Sequence, residues 1–191
     1  IIKSTVPVGT SQLIIDEILT GMKEQKKTYE FDIVSNPEFL REGTAVKDFM
    51  NPDRIIIGLI NGKGNGERTK KIRKTMEKLY EPIVRIGSPL VFTDIKSAEI
   101  IKYASNAFLA TKISFINEIA NFCDQMGGDV KEVAKGIGLD KRIGPKFLHA
   151  GIGYGGSCFP KDVKALIQTG KRGKYEFQIL EAVEKVNILQ R

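Results

Sequence analysis

The sequence predicts an α/β portion followed by an all-α portion, and three observations carry that expectation. Up to Asp94, short β-branched apolar runs alternate with amphipathic stretches. From Ile95 to about Met126 there is neither proline nor glycine, and Ile100, Tyr103, Ala104, Ala107, Phe108, Thr111, Phe115, Ile119 and Phe122 recur at helical spacing. After that run only shorter helical patterns follow. The predicted boundary lies near Asp94, separating residues 1–94 from 95–191.

Taken in order, Ile1-Ile2 looks like the tail of a buried strand, and Ser4 to Gly9 turns the chain. Thr10 or Ser11 can cap a helix carrying Leu13, Ile14, Ile15, Ile18 and Leu19 that closes near Gly21. Phe31 to Ser35 reads as a short strand leading into the Asn36 to Thr44 segment. Residues 55–59 form an apolar strand, residues 61–66 a loop, and a basic amphipathic helix runs from Glu67 to about Tyr80. Ile83 to Ile86 reads as a further strand, and Ser88-Pro89 as a turn. The proline-free run from Ile95 is one helix, far longer than average, of the kind that spans a subunit or domain junction. Helices follow at about 129–136, 160–170 and 176–190.

The 191 residues are enough for a substantial core. A formal charge of +7 fits anionic ligands such as nucleotides, but no compact basic stripe interleaved with aromatics points to nucleic acid. No apolar run is long enough to span a membrane, so neither nucleic acid nor membrane is an expected partner. Two cysteines, Cys123 and Cys158, do not make a disulfide framework, and a reducing cytoplasm is the default location. No metal-ligand spacing is present. The chain opens on Ile1-Ile2 without methionine and closes within a helical pattern, which predicts a piece of a longer protein.

The stretch richest in chemistry runs from Gly151 to Asp162: glycines at 151, 153, 155 and 156, then Ser157, Cys158, Phe159, Pro160, Lys161 and Asp162. Pro160 suits a first helical turn, so Cys158 falls at a helix N-terminus, where free amide donors and the dipole favour a thiolate. Formally Gly151 to Gly156 also satisfies G-x-G-x-x-G, but a dinucleotide fingerprint must follow a strand, and Lys146 to Ala150 is a poor one. From the loop alone, a half-buried inert cysteine and a reactive thiol are equally open. A Cys158–His149 hydrolase pair has nothing in the sequence to orient it.

Elsewhere, Lys102 and Asn106 lie four apart on the long helix and share a face. Glu38 and Glu42 bracket a loop after a strand, where catalytic groups of α/β folds gather. Each residue has an ordinary reading too: a surface ion pair, a solvated carboxylate, a turn threonine at Thr5, or a helix-start acid at Asp162.

In order, Ser4 to Thr10, Asn36 to Ala45, Lys102 with Asn106 to Ala110, and Gly155 to Asp162 together resemble the nucleotide-sugar dehydrogenases. The resemblance covers essentially the whole chain. It implies the C-terminal part of a Rossmann-like NAD-binding domain, then an all-α central dimerisation domain built on the long helix, with an N-terminal glycine fingerprint and a C-terminal nucleotide-binding domain lying outside these residues. Implied too is a homodimer through that helix, NAD as cofactor, and four-electron oxidation of a sugar alcohol to a carboxylate, with UDP-glucose favoured over GDP-mannose as substrate. Cys158 would hold the aldehyde as a thiohemiacetal and then a thioester, Lys102 and Asn106 would stabilise the oxyanion, and Asp162 with a water would act as base. Glu38 would assist hydrolysis and Thr5 would position water and cofactor. Substrate contacts carry over to Glu38, Phe39, Leu40, Arg41, Glu42, Lys102, Asn106, Phe147, Leu148, His149, Ala150, Gly151 and Gly155. Arg142 would reach the sugar across the dimer, and Thr5, Glu42 and Lys161 would contact the cofactor. As an isolated piece, the chain would be a dimerisation and partial substrate-binding module without turnover. Hydroxyacid dehydrogenases also pair a helix lysine and asparagine four apart but lack the thiol loop.

Overall fold

The computed structural model describes residues 1–60, 62, 64, 66–84 and 87–191. By contact density the chain divides into two units, Ile1–Lys102 and Tyr103–Arg191.

The first unit is built on a three-stranded sheet, β1 (Val34–Ser35), β2 (Ile55–Leu59) and β3 (Leu90–Asp94), in that spatial order. β1 pairs antiparallel with β2, and β2 runs parallel to β3 in the register Ile55–Leu90 to Leu59–Asp94. Every residue of β2 is buried, as its unbroken apolar run requires of a central strand. Ile2 adds a parallel bridge to Ser35, its N–H donating to Val34 O at 2.8 Å. Val34, Ile55, Ile57 and Leu59 pack with Met76, Tyr80 and Ile83 of α3 (Glu67–Val84) as the core of this unit. Gly58 is required by that packing. A Cβ there would meet Ala98 Cβ at 2.7 Å and Ile95 Cα at 2.9 Å, in the first turns of α4 (Ile95–Met126).

Asn36, almost fully buried, ties the sheet to α3. Its Nδ2 donates to Ile56 O at 2.9 Å, and its Oδ1 accepts from the Tyr80 hydroxyl. Desolvation and that hydrogen bond act in opposite senses on Tyr80. Burial dominates, so its phenol is held above the ordinary value.

Several expectations are corrected here. Ile1, expected to be buried, is 62% exposed. α1 spans Thr10–Glu24 and is capped by neither Thr10 nor Ser11: Gly9 is the N-cap, with a φ of 96° that glycine tolerates. The free amides of α1 go instead to the Glu99 carboxylate, which accepts from Gly9 N at 2.7 Å, Ser11 N at 3.1 Å and Ser11 Oγ at 2.6 Å. The strand expected at Phe31–Ser35 is only Val34–Ser35, and α2 (Ala45–Met50) occupies a segment with no helical expectation.

Ile83 and Val84 close α3 rather than open a strand, because Met76, Tyr80 and Ile83 fall at i, i+4, i+7 on its buried face and hold the helix through Pro82. The rest of that expected strand, residues 85 and 86, lies outside the described residues, as do residues 61, 63 and 65 of the expected loop. The third strand is Leu90–Asp94, immediately before the long helix. Asp94 then caps α4 with its carboxylate, accepting from Ser97 N at 2.8 Å and Ser97 Oγ at 2.6 Å.

In the second unit, α4 continues into α5 (Val130–Gly138), α6 (Phe159–Arg172) and α7 (Gln178–Leu189), and among the described residues of this unit no strand is present. Asp129 caps α5 by accepting from Lys131 N at 2.8 Å. Ser114 Oγ of α4 donates to Val183 O of α7 at 3.0 Å. At Gly170 the segment leading into α7 comes close, since a Cβ would meet the Phe177 ring at 2.7 Å. Among the described residues no helix is long and apolar enough to cross a membrane.

Candidate functional site

In the first unit, three of the residues singled out by sequence converge on one carboxylate. Glu38 follows Asn36-Pro37 past the end of β1. Its Oε1 accepts from Thr5 Oγ1 at 3.1 Å and lies 3.5 Å from Lys102 Nζ, while its Oε2 accepts from Leu40 N at 2.7 Å. Burial alone would raise the Glu38 carboxyl. The Leu40 amide, the Lys102 charge and the Thr5 hydroxyl outweigh it and hold the group below its ordinary value.

Lys102 is a buried lysine, which needs a charge partner. Besides Glu38 it has the Phe39 ring, 5.3 Å from Nζ, and the Arg54 guanidinium approaches the same ring at 3.9 Å. Lys3 lies in the same field: burial lowers its pKa first, Glu38 opposes that, and Lys102 adds repulsion.

The remaining residues of the loop face elsewhere. Arg41 binds Asp48 through two of its guanidinium nitrogens, Nε at 2.9 Å and Nη2 at 2.6 Å, and Glu42 is exposed. Arg41 thus makes a surface pair.

In the second unit, Cys158 is the N-cap residue of α6, with Pro160 in the first turn as anticipated. It is partly exposed and in no disulfide, and its sulfur lies 3.7 Å from Ser157 Oγ. One turn on, Asp162 is 1% exposed and does not cap its own helix with its side chain. Its Oδ2 accepts from Asn106 Nδ2 at 2.6 Å, both groups buried. Lys161 Nζ approaches Oδ1 to 3.2 Å without hydrogen-bond alignment, so that oxygen has no hydrogen-bond partner. A buried carboxylate oxygen left so is costly, and a ligand or water hydrogen would satisfy it.

The Gly151–Gly156 loop is anchored from α4 and α7. Asn117 Oδ1 accepts from Gly151 N at 2.8 Å, Gln190 Nε2 donates to Gly151 O at 2.9 Å, and Asn187 both accepts from Tyr154 N at 2.7 Å and donates to Tyr154 O at 3.1 Å. Tyr154 is buried, and its hydroxyl donates to Glu184 at 2.9 Å. Of the expected substrate segment, Leu148 is buried, Phe147 is half-buried with a φ of 65°, and His149 and Ala150 are exposed. Arg142 is on the surface, paired with Asp140 at 2.6 Å.

Glu99, Asn117 and Asn187 were not singled out from the sequence, yet the pattern contained the signal. Asn187 lies on the helix stripe of Leu180 and Val183, and Glu99 lies on that of Lys102 and Asn106. A polar residue on a buried stripe must find a hydrogen-bond partner.

Comparison with known proteins covers both units. Residues 1–84 match the NAD binding domain of the UDP-glucose/GDP-mannose dehydrogenase family, and residues 96–188 match the central domain of the same family. UDP-glucose 6-dehydrogenase TuaD of Bacillus subtilis is 52% identical over 189 residues, spanning 99% of this chain and 38% of that protein. The UDP-glucose 6-dehydrogenase of Rhizobium meliloti is 51% identical over 185 residues, 97% of this chain and 40% of that protein. Among solved structures, a UDP-glucose dehydrogenase from the archaeon Pyrobaculum islandicum superposes with a TM-score of 0.85 at 41% identity, covering 98% of this chain and 40% of that one. The chain thus spans about two fifths of the length of these relatives, and it belongs to the UDP-glucose/GDP-mannose dehydrogenase family.

Proposed function

We propose that the full-chain protein is an NAD-dependent nucleotide-sugar dehydrogenase that oxidises the C6 alcohol of UDP-glucose to the carboxylate of UDP-glucuronate. The activity is assigned to the whole protein, since these residues span about two fifths of its relatives. The observation that carries the reading is local: a partly exposed thiol begins α6, and one turn later a buried carboxylate, held by Asn106, keeps one oxygen without a hydrogen-bond partner. NAD, when bound, takes the hydride in each of the two oxidations. Thr5 fits the cofactor side because it lies just past the Ile2 bridge, at the end of an extended segment where α/β sheets bind ligands. Lys161 and Glu42, both exposed, complete that set.

The chain's own chemistry follows from the residues. After the first oxidation the Cys158 sulfur adds to the aldehyde carbon, forming a C–S bond, and the carbonyl oxygen becomes an alkoxide. Lys102 and Asn106, four apart on α4, stabilise that oxygen. Loss of a hydride from the same carbon leaves a thioester. Water then attacks the thioester carbon, the C–S bond breaks, and the products are the carboxylate and the free thiol. The open oxygen of Asp162 suits a general base that takes a proton from water, and Glu38, with its pKa held low, is ionised and able to assist hydrolysis.

The Glu38–Glu42 segment and the Phe147–Gly151 backbone with Gly155 are assigned to the nucleotide sugar, with Phe39, Leu40 and Arg41 shaping the first of these and Leu148, His149 and Ala150 the second. Exposed Phe108, Phe115, Phe122 and Met126 line one face of α4 and support a homodimer through that helix, with Arg142 serving the partner's sugar.

The test is stoichiometric. Full-chain protein given UDP-glucose and NAD is expected to form two NADH per uronate without releasing aldehyde. One NADH per sugar with free aldehyde, or turnover of GDP-mannose alone, would overturn the assignment.

A further inference from the structure

Behind the glycine loop, one side chain does more than fill space. Asn187 of α7 is 3% exposed, and its amide engages both backbone groups of a single residue, accepting from Tyr154 N at 2.7 Å and donating to Tyr154 O at 3.1 Å. A side-chain amide used this way substitutes for a neighbouring β-strand, fixing both peptide planes of Tyr154 where the loop has no strand to pair with. The loop is built around this contact. Gly153 has a φ of 95°, and a Cβ there would meet Asn187 Oδ1 at 2.5 Å, so no side chain fits beside the asparagine. Arg191 adds a second donor to Tyr154 O at 2.9 Å, and Glu184 receives the Tyr154 hydroxyl. Between this fixed residue and Cys158 only Gly155, Gly156 and Ser157 intervene, none of them buried.

We infer that Asn187 is a positioning residue for the thiol: by locking Tyr154, it sets the frame from which the loop delivers Cys158 to the start of α6. Three intervening residues, two of them glycine, leave a flexible tether whose one end is the helix N-cap. Fixing the other end removes most of its freedom, which keeps a nucleophile in attack geometry between turnovers. The role rests on the proposed dehydrogenase reading for its catalytic consequence, but not for its structural one.

The experiment therefore has two arms, both on full-chain protein. Hydrogen exchange followed by mass spectrometry compares wild type with Asn187→Ala. The peptide spanning Gly151 to Phe159 should exchange at least about tenfold faster, while peptides from the middle of α4 keep their rates. Steady-state kinetics with UDP-glucose and NAD should show kcat falling about tenfold or more and by a clearly larger factor than KM rises, because the reacting group loses its placement while of the assigned sugar contacts only Gly151 and Gly155 lie in the released loop. Asn187→Asp keeps an acceptor of the same size for Tyr154 N–H, and it should recover part of kcat. If Asn187→Ala does not fold, Asn187→Asp carries both arms, with smaller effects of the same sign. Unchanged exchange in the loop, exchange raised equally throughout the second unit, or a rise in KM with kcat intact would overturn the inference. Wild-type protein without NADH formation would instead refute the dehydrogenase reading, and the exchange arm would still decide the clamp.

Discussion

The two units hold their candidate catalytic carboxylates, Glu38 and Asp162, by different means. In the first, Lys102 and Glu38 form an ion pair at 3.5 Å, supplemented by a hydroxyl, an amide and an aromatic ring, so each charge has compensation. In the second the hydrogen bonds come from neutral amides, Asn106 to Asp162 and Asn117 and Asn187 to the glycine loop, and the Lys161 ammonium lies 3.2 Å from Asp162 Oδ1 without a hydrogen bond to it. A fully compensated pair is a stable arrangement that binds and orients, whereas a carboxylate tethered through one oxygen keeps the other for a reacting partner. The difference separates a set of groups suited to charge stabilisation from one suited to proton transfer beside a thiol.

The largest expected effect breaks the second arrangement. Asp162→Asn keeps the shape but removes the proton acceptor, and kcat for uronate formation should fall about 10²- to 10⁴-fold, the range for a lost general base. A fall below about fivefold, measured by product quantification, would deny Asp162 that role. Lys102→Ala should cost about 10²-fold in kcat, as for a lost oxyanion donor, and it sharpens the comparison because it also strips Glu38 of its countercharge. A rise in KM with kcat unchanged would mark Lys102 as a binding group only.

On stability, Asn36→Ala orphans the Ile56 carbonyl and the Tyr80 hydroxyl, both buried. It should cost about 2–4 kcal/mol, read as a shift in the urea midpoint by circular dichroism. A shift under about 0.5 kcal/mol would mean that water replaces the amide.

The smallest effect is a pH dependence confined to the first unit. Because folding lowers the Glu38 pKa, the ionised carboxylate contributes stability above its unfolded value of about 4.3, and the contribution is lost as pH falls through the lower folded value. The difference in thermal midpoint between wild type and Glu38→Gln should therefore shrink from about pH 6 to about pH 3. A difference that stays constant would show that Glu38 acts without its charge.

How legible this was in the sequence depended on the range of the interaction. The long helix ends where the proline-free run ends, and β2 lies where the apolar run placed it, because both follow from local pattern. The Cys158 N-cap also followed from a local rule, proline in the first turn. β3 did not. Its burial lacks a clean alternation, with Val91 exposed, and its apolar run adjoins the long helix without a break. Glu99 capping α1 from a sequence distance of about 90 residues could not be read locally, and Thr10 and Ser11 offered a nearer, incorrect capping choice. The same holds for Asn106 and Asp162, whose hydrogen bond joins residues 56 apart. Motif order marked both residues, but only the fold joins them and leaves one oxygen open.

The central claim is that Cys158 carries the substrate covalently. Full-chain protein mixed with UDP-glucose and NAD, quenched in acid during turnover and digested, should yield a sugar-nucleotide adduct on the peptide containing Cys158 and none on the peptide containing Cys123. Uronate accumulating at full rate with no adduct on either peptide, or undiminished in Cys158→Ser, would contradict the account.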